Sequence, residues 1–290
     1  MSVEILDARN PELPGAEFIF GSTPEMQILR GKVEAALEDD LPVLIAGESG
    51  TGKEVIGHFL HEQSGRRRGP FVKVNCGAVP SRVLEREMFV HDPSRLAHVR
   101  KRRTGSIGLA SGGLLFLDEI GEMELQLQRK LAPILQTGQY RNEEGSEVLS
   151  ASARFVCSSS LSVEQAHGGS SVSAELLGCF RHVLKLPPLR ERKADIPQIC
   201  EYLAQKFARN FGRPVPKLSE SVLAAFDQWN WPGNIRELEN WIARIVIFGM
   251  EGAIGLEFRR ELGLSVERPP RPHRATHVNT DRVGRSRRHG

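Results

Sequence analysis

The sequence predicts an α/β fold: a parallel five-stranded sheet flanked by helices, followed by a small all-helical unit. Three observations lead there. An apolar run, Pro42 to Ala46, breaks into Gly47-Glu48-Ser49-Gly50-Thr51-Gly52-Lys53, the G-x-x-x-x-G-K spacing of a phosphate-binding loop between a strand and a helix. Four further short apolar runs follow at intervals that leave room for helices, the alternation expected of a parallel sheet. Beyond Pro187-Pro188 the strand signal stops and only helical patterns remain.

In chain order, residues 1–14 read as a loose lead-in, and the chain turns apolar at Phe18-Ile19-Phe20-Gly21. Thr23-Pro24-Glu25 has the form of a helix N-terminus, with proline in the first turn, leading into Met26 to Leu37. Pro42 to Ala46 reads as a buried strand because its apolar residues follow one another without polar alternation. In the loop that follows, glycines let successive backbone N–H groups turn inward on an anion. The helix from Lys53 to Gln63 adds the positive end of its dipole, and Lys53 reaches β- and γ-phosphates. Glu54 stands where a Ser or Thr hydroxyl usually meets Mg²⁺.

A charged turn at Arg66 to Gly69 precedes a second strand, Phe71 to Asn75, and a helix that includes Leu84 to Phe89. The third strand, Leu114 to Leu117, ends on Asp118-Glu119. An apolar strand ending in two carboxylates is the expected partner of the loop: Asp118 to hold Mg²⁺ through water, Glu119 to orient or deprotonate an attacking water. Met123 to Gln136 reads as a helix weakened or kinked by Pro133, and Ala153 to Cys157 and His182 to Leu186 complete the strands. The loop and the acids then lie together at the carboxyl ends of the strands. Ile196 to Phe211, Ser219 to Trp229 and Pro232 to Phe248 read as helices. The expected division is a lead-in over 1–14, an α/β nucleotide-binding domain over 15–188, a helical lid over 189–262 and a basic tail over 263–290.

Composition narrows the class. At 290 residues, with 40% hydrophobic and 26% charged residues, the chain has the make-up of a water-soluble globular protein with a well-buried core. The opening residues lack a signal pattern, and no apolar run approaches the ~18 residues of a membrane span, so a cytoplasmic location is expected. Cys76, Cys157, Cys179 and Cys200 lack C-x-x-C spacing and read as free thiols, and no metal set is assigned to His58 and His61. The net charge of +3 is uneven: the tail carries seven arginines against Glu267 and Asp281. That tail reads as disordered, either solvating a terminus or touching nucleic acid without sequence preference.

At this point the residues resemble the AAA+ ATPase module of bacterial sigma-54-dependent transcription activators, the enhancer-binding proteins. The resemblance runs from about Phe18 to Leu262. It is carried by GESGTGKE at Gly47 to Glu54, VNC at Val74 to Cys76, GGLLFLDEIGEM at Gly112 to Met123, LPPLRERKADI at Leu186 to Ile196 and WPGNIRELEN at Trp231 to Asn240. It implies ATP and Mg²⁺ as cofactors, and an acid at Glu54 as a family feature. It also implies that Asn75 positions the catalytic Glu119 in response to nucleotide, and that Arg236 senses the γ-phosphate from the lid. Such modules form homo-oligomeric rings, commonly hexamers, with ATP at subunit boundaries, and act on sigma-54 RNA polymerase.

The chain also departs from the family pattern. The sigma-54-contacting GAFTGA loop is replaced by Ser94-Arg95-Leu96-Ala97-His98-Val99, followed by Arg100-Lys101-Arg102-Arg103, which reads as a solvated loop or a basic contact surface. A strand end that is usually Thr-Asn is Ser159-Ser160. The family's two trans-acting arginines fall on Ser173 and Cys179, with Arg181, two residues further on, as a substitute. No sequence-specific DNA-binding segment is read in the chain. Two outcomes stay open: an ATPase that drives sigma-54 polymerase, with hydrolysis weakened or lost, or a nucleotide-binding regulatory or scaffold module without motor output.

Overall fold

The computed structural model describes residues 3–6, 13–89, 91–92, 103–141, 148–160 and 172–249. The central sheet has six strands in the order β1-β3-β6-β9-β2-β10. These are β1 (Val3–Leu6), β2 (Val43–Ala46), β3 (Phe71–Asn75), β6 (Leu114–Asp118), β9 (Arg154–Ser159) and β10 (His182–Lys185). All neighbouring pairs are parallel except β1 on β3. The five parallel strands are the five expected from sequence. The sixth corrects the reading of residues 1–14 as a loose lead-in, since Val3–Leu6 pairs antiparallel with Phe71–Val74. Four residues with Ile5 largely exposed carry too little periodicity to announce a strand, and the open edge of β3 supplies the hydrogen bonds.

Burial on both faces explains why the strands read as unbroken apolar runs. Leu44, Val72, Val74, Leu115, Leu117, Phe155 and Cys157 point into one core, against α4 (Ser81–Phe89) and α6 (Leu125–Thr137). Their neighbours Val43, Ile45, Phe71, Leu114, Phe116, Val156 and Leu184 point into a second core. That core is closed by α1 (Ala16–Phe20), α2 (Pro24–Ala36) and α3 (Lys53–Gln63). The period-2 side-chain alternation of a strand assigns each residue to one core or the other.

Pro133 neither ends nor divides α6, which runs from Leu125 to Thr137 and stops at Gly138 in the left-handed conformation. Short elements that the sequence did not announce fill the remaining connections. Single-turn α5 (Ser106–Leu109) precedes β6, a hairpin of β7 (Gln139–Arg141) and β8 (Val148–Ser150) joins α6 to β9, and α7 (Ala174–Leu177) precedes β10. The segment Ser94 to Val99 and the basic residues Arg100 to Arg102 lie outside the described residues. At their base, β4 (His91–Asp92) and β5 (Arg103–Thr104) pair antiparallel. The basic stretch 263–290 is likewise outside the described residues.

The lid consists of α8 (Ile196–Phe211), α9 (Glu220–Gln228) and α10 (Asn234–Phe248), packed on a third apolar cluster that includes Leu203, Phe226, Leu238 and Ile242. Trp231 is its fully buried anchor: its ring meets Phe226 edge-on and its Nε1–H donates to the Phe226 carbonyl at 2.9 Å. The connection into the lid is fastened to the start of α2. The Asp195 carboxylate accepts from the Ser22 and Thr23 N–H groups and from both hydroxyls, at 2.7 to 3.2 Å. The Thr23 side chain makes no bond to its own helix, so this entry turn depends on a carboxylate 172 residues away.

Candidate nucleotide site

The loop Gly47–Gly52 leaves the carboxyl end of β2 and enters α3 at Lys53. Gly50 and Gly52 have φ of 79° and 102°, a region that glycine occupies without steric cost. Gly50 is further constrained from outside, because a Cβ there would lie 2.4 Å from the Gly233 carbonyl oxygen at the start of α10. The loop is held to the sheet by the Gly47 N–H, which donates to the Ser159 carbonyl at 3.1 Å. Within the loop, the Thr51 hydroxyl donates to the Glu48 carbonyl at 2.8 Å.

Lys53 is 6% exposed, and its ammonium lies among oxygens: the Gly47 carbonyl at 2.7 Å, the Ser160 hydroxyl at 3.0 Å and the Glu48 carbonyl at 3.3 Å. Its charge is met by Glu119, with Nζ 2.9 Å from Oε1. Glu119 takes up a left-handed backbone conformation, φ 59° and ψ 58°, immediately after β6. That turn aims its carboxylate across the sheet end at β9, where the Ser160 N–H donates at 2.7 Å and the Ser160 hydroxyl at 2.5 Å. Burial pushes the Glu119 carboxyl up, but Ser160 and Lys53 outweigh it and hold the group below its ordinary value. Asp118, beside it, accepts from the Ser158 hydroxyl at 2.5 Å.

Glu54 has partners of its own beside this cluster. Its carboxylate lies 2.7 Å from the Lys73 ammonium on β3 and 3.8 Å from the His58 ring one helical turn on. His58 and Lys73 together hold its carboxyl down at about 2. His58 itself stacks on Phe71, with ring centroids 3.9 Å apart, and His61 shares a hydrogen bond with the Gly69 carbonyl. Both rings thus have structural partners.

The lid reaches the phosphate loop through contacts that the motifs did not announce. Arg190, after the Pro187-Pro188 step, makes two bonds to the Glu48 carboxylate, 2.8 and 2.5 Å. Arg190 is the main reason that carboxyl lies low. Asn234 is fully buried at the start of α10: its amide donates to Glu48 Oε2 at 3.1 Å and to the Ser49 carbonyl at 3.0 Å, while its oxygen accepts from the Leu189 N–H at 2.8 Å. The Ile235 N–H donates to the Gly50 carbonyl at 2.9 Å. Arg236 donates to the Ser49 hydroxyl at 3.1 Å. Buried Arg192 donates to the Thr51 carbonyl at 2.9 Å, and burial lowers its guanidinium to about 10. A cleft of about 340 Å³ opens between loop and lid, lined among others by Lys53, Asp118, Glu119, Arg236, Ile19 and Tyr202.

The structure thus brings together Lys53, Asp118, Glu119 and the residues Gly47 to Gly52, with Arg236 at the rim. Asn75 lies beside Asp118 in the sheet register, and its side-chain oxygen accepts from the Gly77 N–H at 3.0 Å. Ser160, from the strand end where the family carries Thr-Asn, makes bonds to Glu119. Ser173 caps α7 by accepting from the Leu176 N–H, and the Cys179 thiol lies within reach of the Glu175 and Ala132 carbonyls, to one of which its single proton goes. Both residues at the trans-arginine positions are therefore engaged locally. Arg181 is exposed.

Comparison with known proteins agrees with this geometry. Residues 19–181 match the family profile of the sigma-54 interaction domain, and residues 190–263 match the AAA+ ATPase lid domain. The Nif-specific regulatory protein of Azotobacter vinelandii is 36% identical over 253 residues, which is 87% of this chain and 48% of that protein. The DNA-binding transcriptional activator HyfR of Escherichia coli is 38% identical over 234 residues, 80% of this chain and 35% of HyfR. The C4-dicarboxylate transport transcriptional regulatory protein DctD of Rhizobium meliloti is 36% identical over 239 residues, 82% of this chain and 52% of DctD. The chain thus spans about half the length, or less, of these curated relatives. Among solved structures, NtrX from Brucella abortus in complex with ADP superposes with a TM-score of 0.71 at 27% identity, covering 82% of this chain and 52% of NtrX. NtrX in complex with ATP gives 0.70 at the same identity, over 82% of this chain and 54% of NtrX.

Proposed function

We propose, from the premise that the chain belongs to the sigma-54 interaction family of AAA+ proteins, that it binds ATP with Mg²⁺ in the cleft between loop and lid. One observation carries this reading: the N-terminus of α3, the Lys53 ammonium and the Asp118 and Glu119 carboxylates converge at the carboxyl ends of β2, β6 and β9. The residues fit the ligand. The free N–H groups of the first turn of α3 and the Lys53 ammonium supply fixed positive charge for phosphates. Lys53 would exchange its bonds to the Gly47 and Glu48 carbonyls for phosphate oxygens. Asp118 offers a hydrogen-bonded carboxylate to Mg²⁺, which when bound neutralises charge developing on the transferred phosphoryl group. Glu119, held as a carboxylate, orients the attacking water and takes its proton. Arg236 reaches the nucleotide from the lid, and Glu54, neutralised by Lys73, contributes through the loop's first helical turn.

Hydrolysis is slow in this reading. A trans arginine is worth ~10³ to 10⁵ in rate, and Ser173 and Cys179 stand where the family supplies two. The whole assembly is a homo-oligomeric ring with the cleft at subunit boundaries. Asn75 acts as the nucleotide-responsive switch only after releasing Gly77 for Glu119. Toward sigma-54 polymerase the output is weak, because residues 94–99 replace the aromatic and small hydroxyl of the contact loop with Leu96 and Ala97 beside Arg95. The test is binding of a fluorescent ATP analogue, together with ATP turnover across a range of protein concentrations. Loss of binding in Lys53→Ala supports the reading, and unchanged affinity in that variant overturns it.

A further inference from the structure

The paired ladder between β6 and β9 ends at Leu117 opposite Cys157. One residue further, side-chain chemistry takes over from the backbone. Ser158 is fully buried, and its single hydroxyl proton goes to Asp118 Oδ1 at 2.5 Å. Its oxygen is then free to accept from the Glu119 N–H, at 2.9 Å. The two bonds have a fixed direction, because a hydroxyl has one proton to give and the Glu119 amide can only donate. Glu119 is the residue in a left-handed conformation, which residues other than glycine rarely adopt. Its N–H would otherwise continue the ladder.

We propose that Ser158 is a positioning residue for the adjacent acids: its hydroxyl fixes the orientation of the Asp118 carboxylate and pins the Glu119 backbone in the turn that aims its side chain at Lys53 and Ser160. The inference rests on the nucleotide reading above and deepens it, assigning one buried hydroxyl to both the metal-facing and the water-facing carboxylate. Removal of that hydroxyl leaves Asp118 with one partner fewer and lets Glu119 return to an extended conformation. Its carboxylate would then leave the Lys53–Ser160 pair. Ser158 reaches Asp118 at Oδ1 and Glu119 at its backbone N–H, so the residue acts through them.

The experiment is Ser158→Ala, read three ways. In the nucleotide-free protein, hydrogen exchange at the Glu119 amide should rise about tenfold, while Leu115 to Leu117 keep their protection. Affinity for a fluorescent ATP analogue in EDTA should stay within about twofold of wild type, whereas the gain from added Mg²⁺ and the turnover number should each fall about 10- to 100-fold. Unchanged exchange at Glu119 overturns the proposal. So does faster exchange spread evenly along β6, which would mark general loosening. Unaltered Mg²⁺ dependence and turnover in a variant with the exchange effect would overturn the assignment to the acids. If wild type fails to bind the analogue, the nucleotide reading falls, and the exchange measurement still decides whether Ser158 holds Glu119.

Discussion

Asn234 gives the sharpest test of how lid and phosphate loop are joined. It is fully buried, has a φ of 53° and connects three pieces of chain through its amide. In Asn234→Ala the buried Leu189 N–H loses its acceptor, at about 1–3 kcal/mol for a buried group left unpaired. Ser49 is exposed and Glu48 keeps Arg190, so their lost bonds are replaced largely by water and add little. Alanine in the left-handed region adds about 1–2 kcal/mol. The total is about 3 kcal/mol. Asn234→Gly loses the same acceptor but carries no left-handed penalty, and should be about 1 kcal/mol better than alanine. The tryptophans report directly, since all three, Trp229, Trp231 and Trp241, lie in the lid. Urea unfolding followed by their fluorescence should show a midpoint lowered by about 1 M or more for alanine, with a slope of about 1–3 kcal/mol/M. A midpoint within about 0.3 M of wild type, or a glycine variant no better than alanine, would refute the account.

Three other outcomes are expected. ATP turnover should be slow and should not climb steeply with protein concentration; turnover of about 1 s⁻¹ or more that does climb would assign a trans arginine, and Arg181→Ala would identify it. Glu54 titrates at about 2 in the folded chain against 4.5 ordinarily, so its contribution to stability is complete above pH 4.5 and is lost as pH falls toward 2. Glu54→Gln should therefore flatten the stability profile between pH 5 and pH 2, measured by urea titration; an unaltered slope would show that Lys73 and His58 do not hold that carboxylate. Finally, the chain should not drive open-complex formation at a sigma-54 promoter in purified transcription, whereas a variant with GAFTGA across residues 94–99 should gain activity. Transcripts from the unaltered chain would contradict the loop argument.

What could be read before any coordinates existed follows from how local each signal is. Lys53 to Gln63 and Ile196 to Phe211 have the bounds expected of them because their apolar spacing and first-turn residues lie within the element itself, and Gly212 stops the second just past its end. The phosphate loop and Asp118-Glu119 were legible for the same reason. By contrast, β1 exists through the edge of β3 far along the chain. Ser158, Arg190 and Asn234 stayed silent because their roles depend on partners that sequence spacing does not reveal. Asn234 and Arg190 lie inside stretches that carry the resemblance, but the resemblance implies a task only for Arg236 among those residues. Ser160 was silent for the same reason, since its bonds to Glu119 cross from the end of β9 to the end of β6, whereas the Asx turn of Asn75 onto Gly77 is local.

The anchoring of Ser22 and Thr23 by Asp195 sets an order of events during synthesis. The entry turn of α2 is among the first pieces of the α/β unit to leave the ribosome, but its hydrogen-bond acceptor is made only after β10. At about 5–20 residues per second the nascent chain waits roughly 10–30 seconds for that carboxylate. Throughout that interval the Ser22 and Thr23 N–H groups have water for a partner, and α2 is held through the apolar residues it shares with the second core. The arrival of Asp195 closes an early-made corner of the α/β unit with one of its last-made links before the lid, so a ribosome stalled upstream of the lid releases a sheet on which the entry turn of α2 is still unfastened.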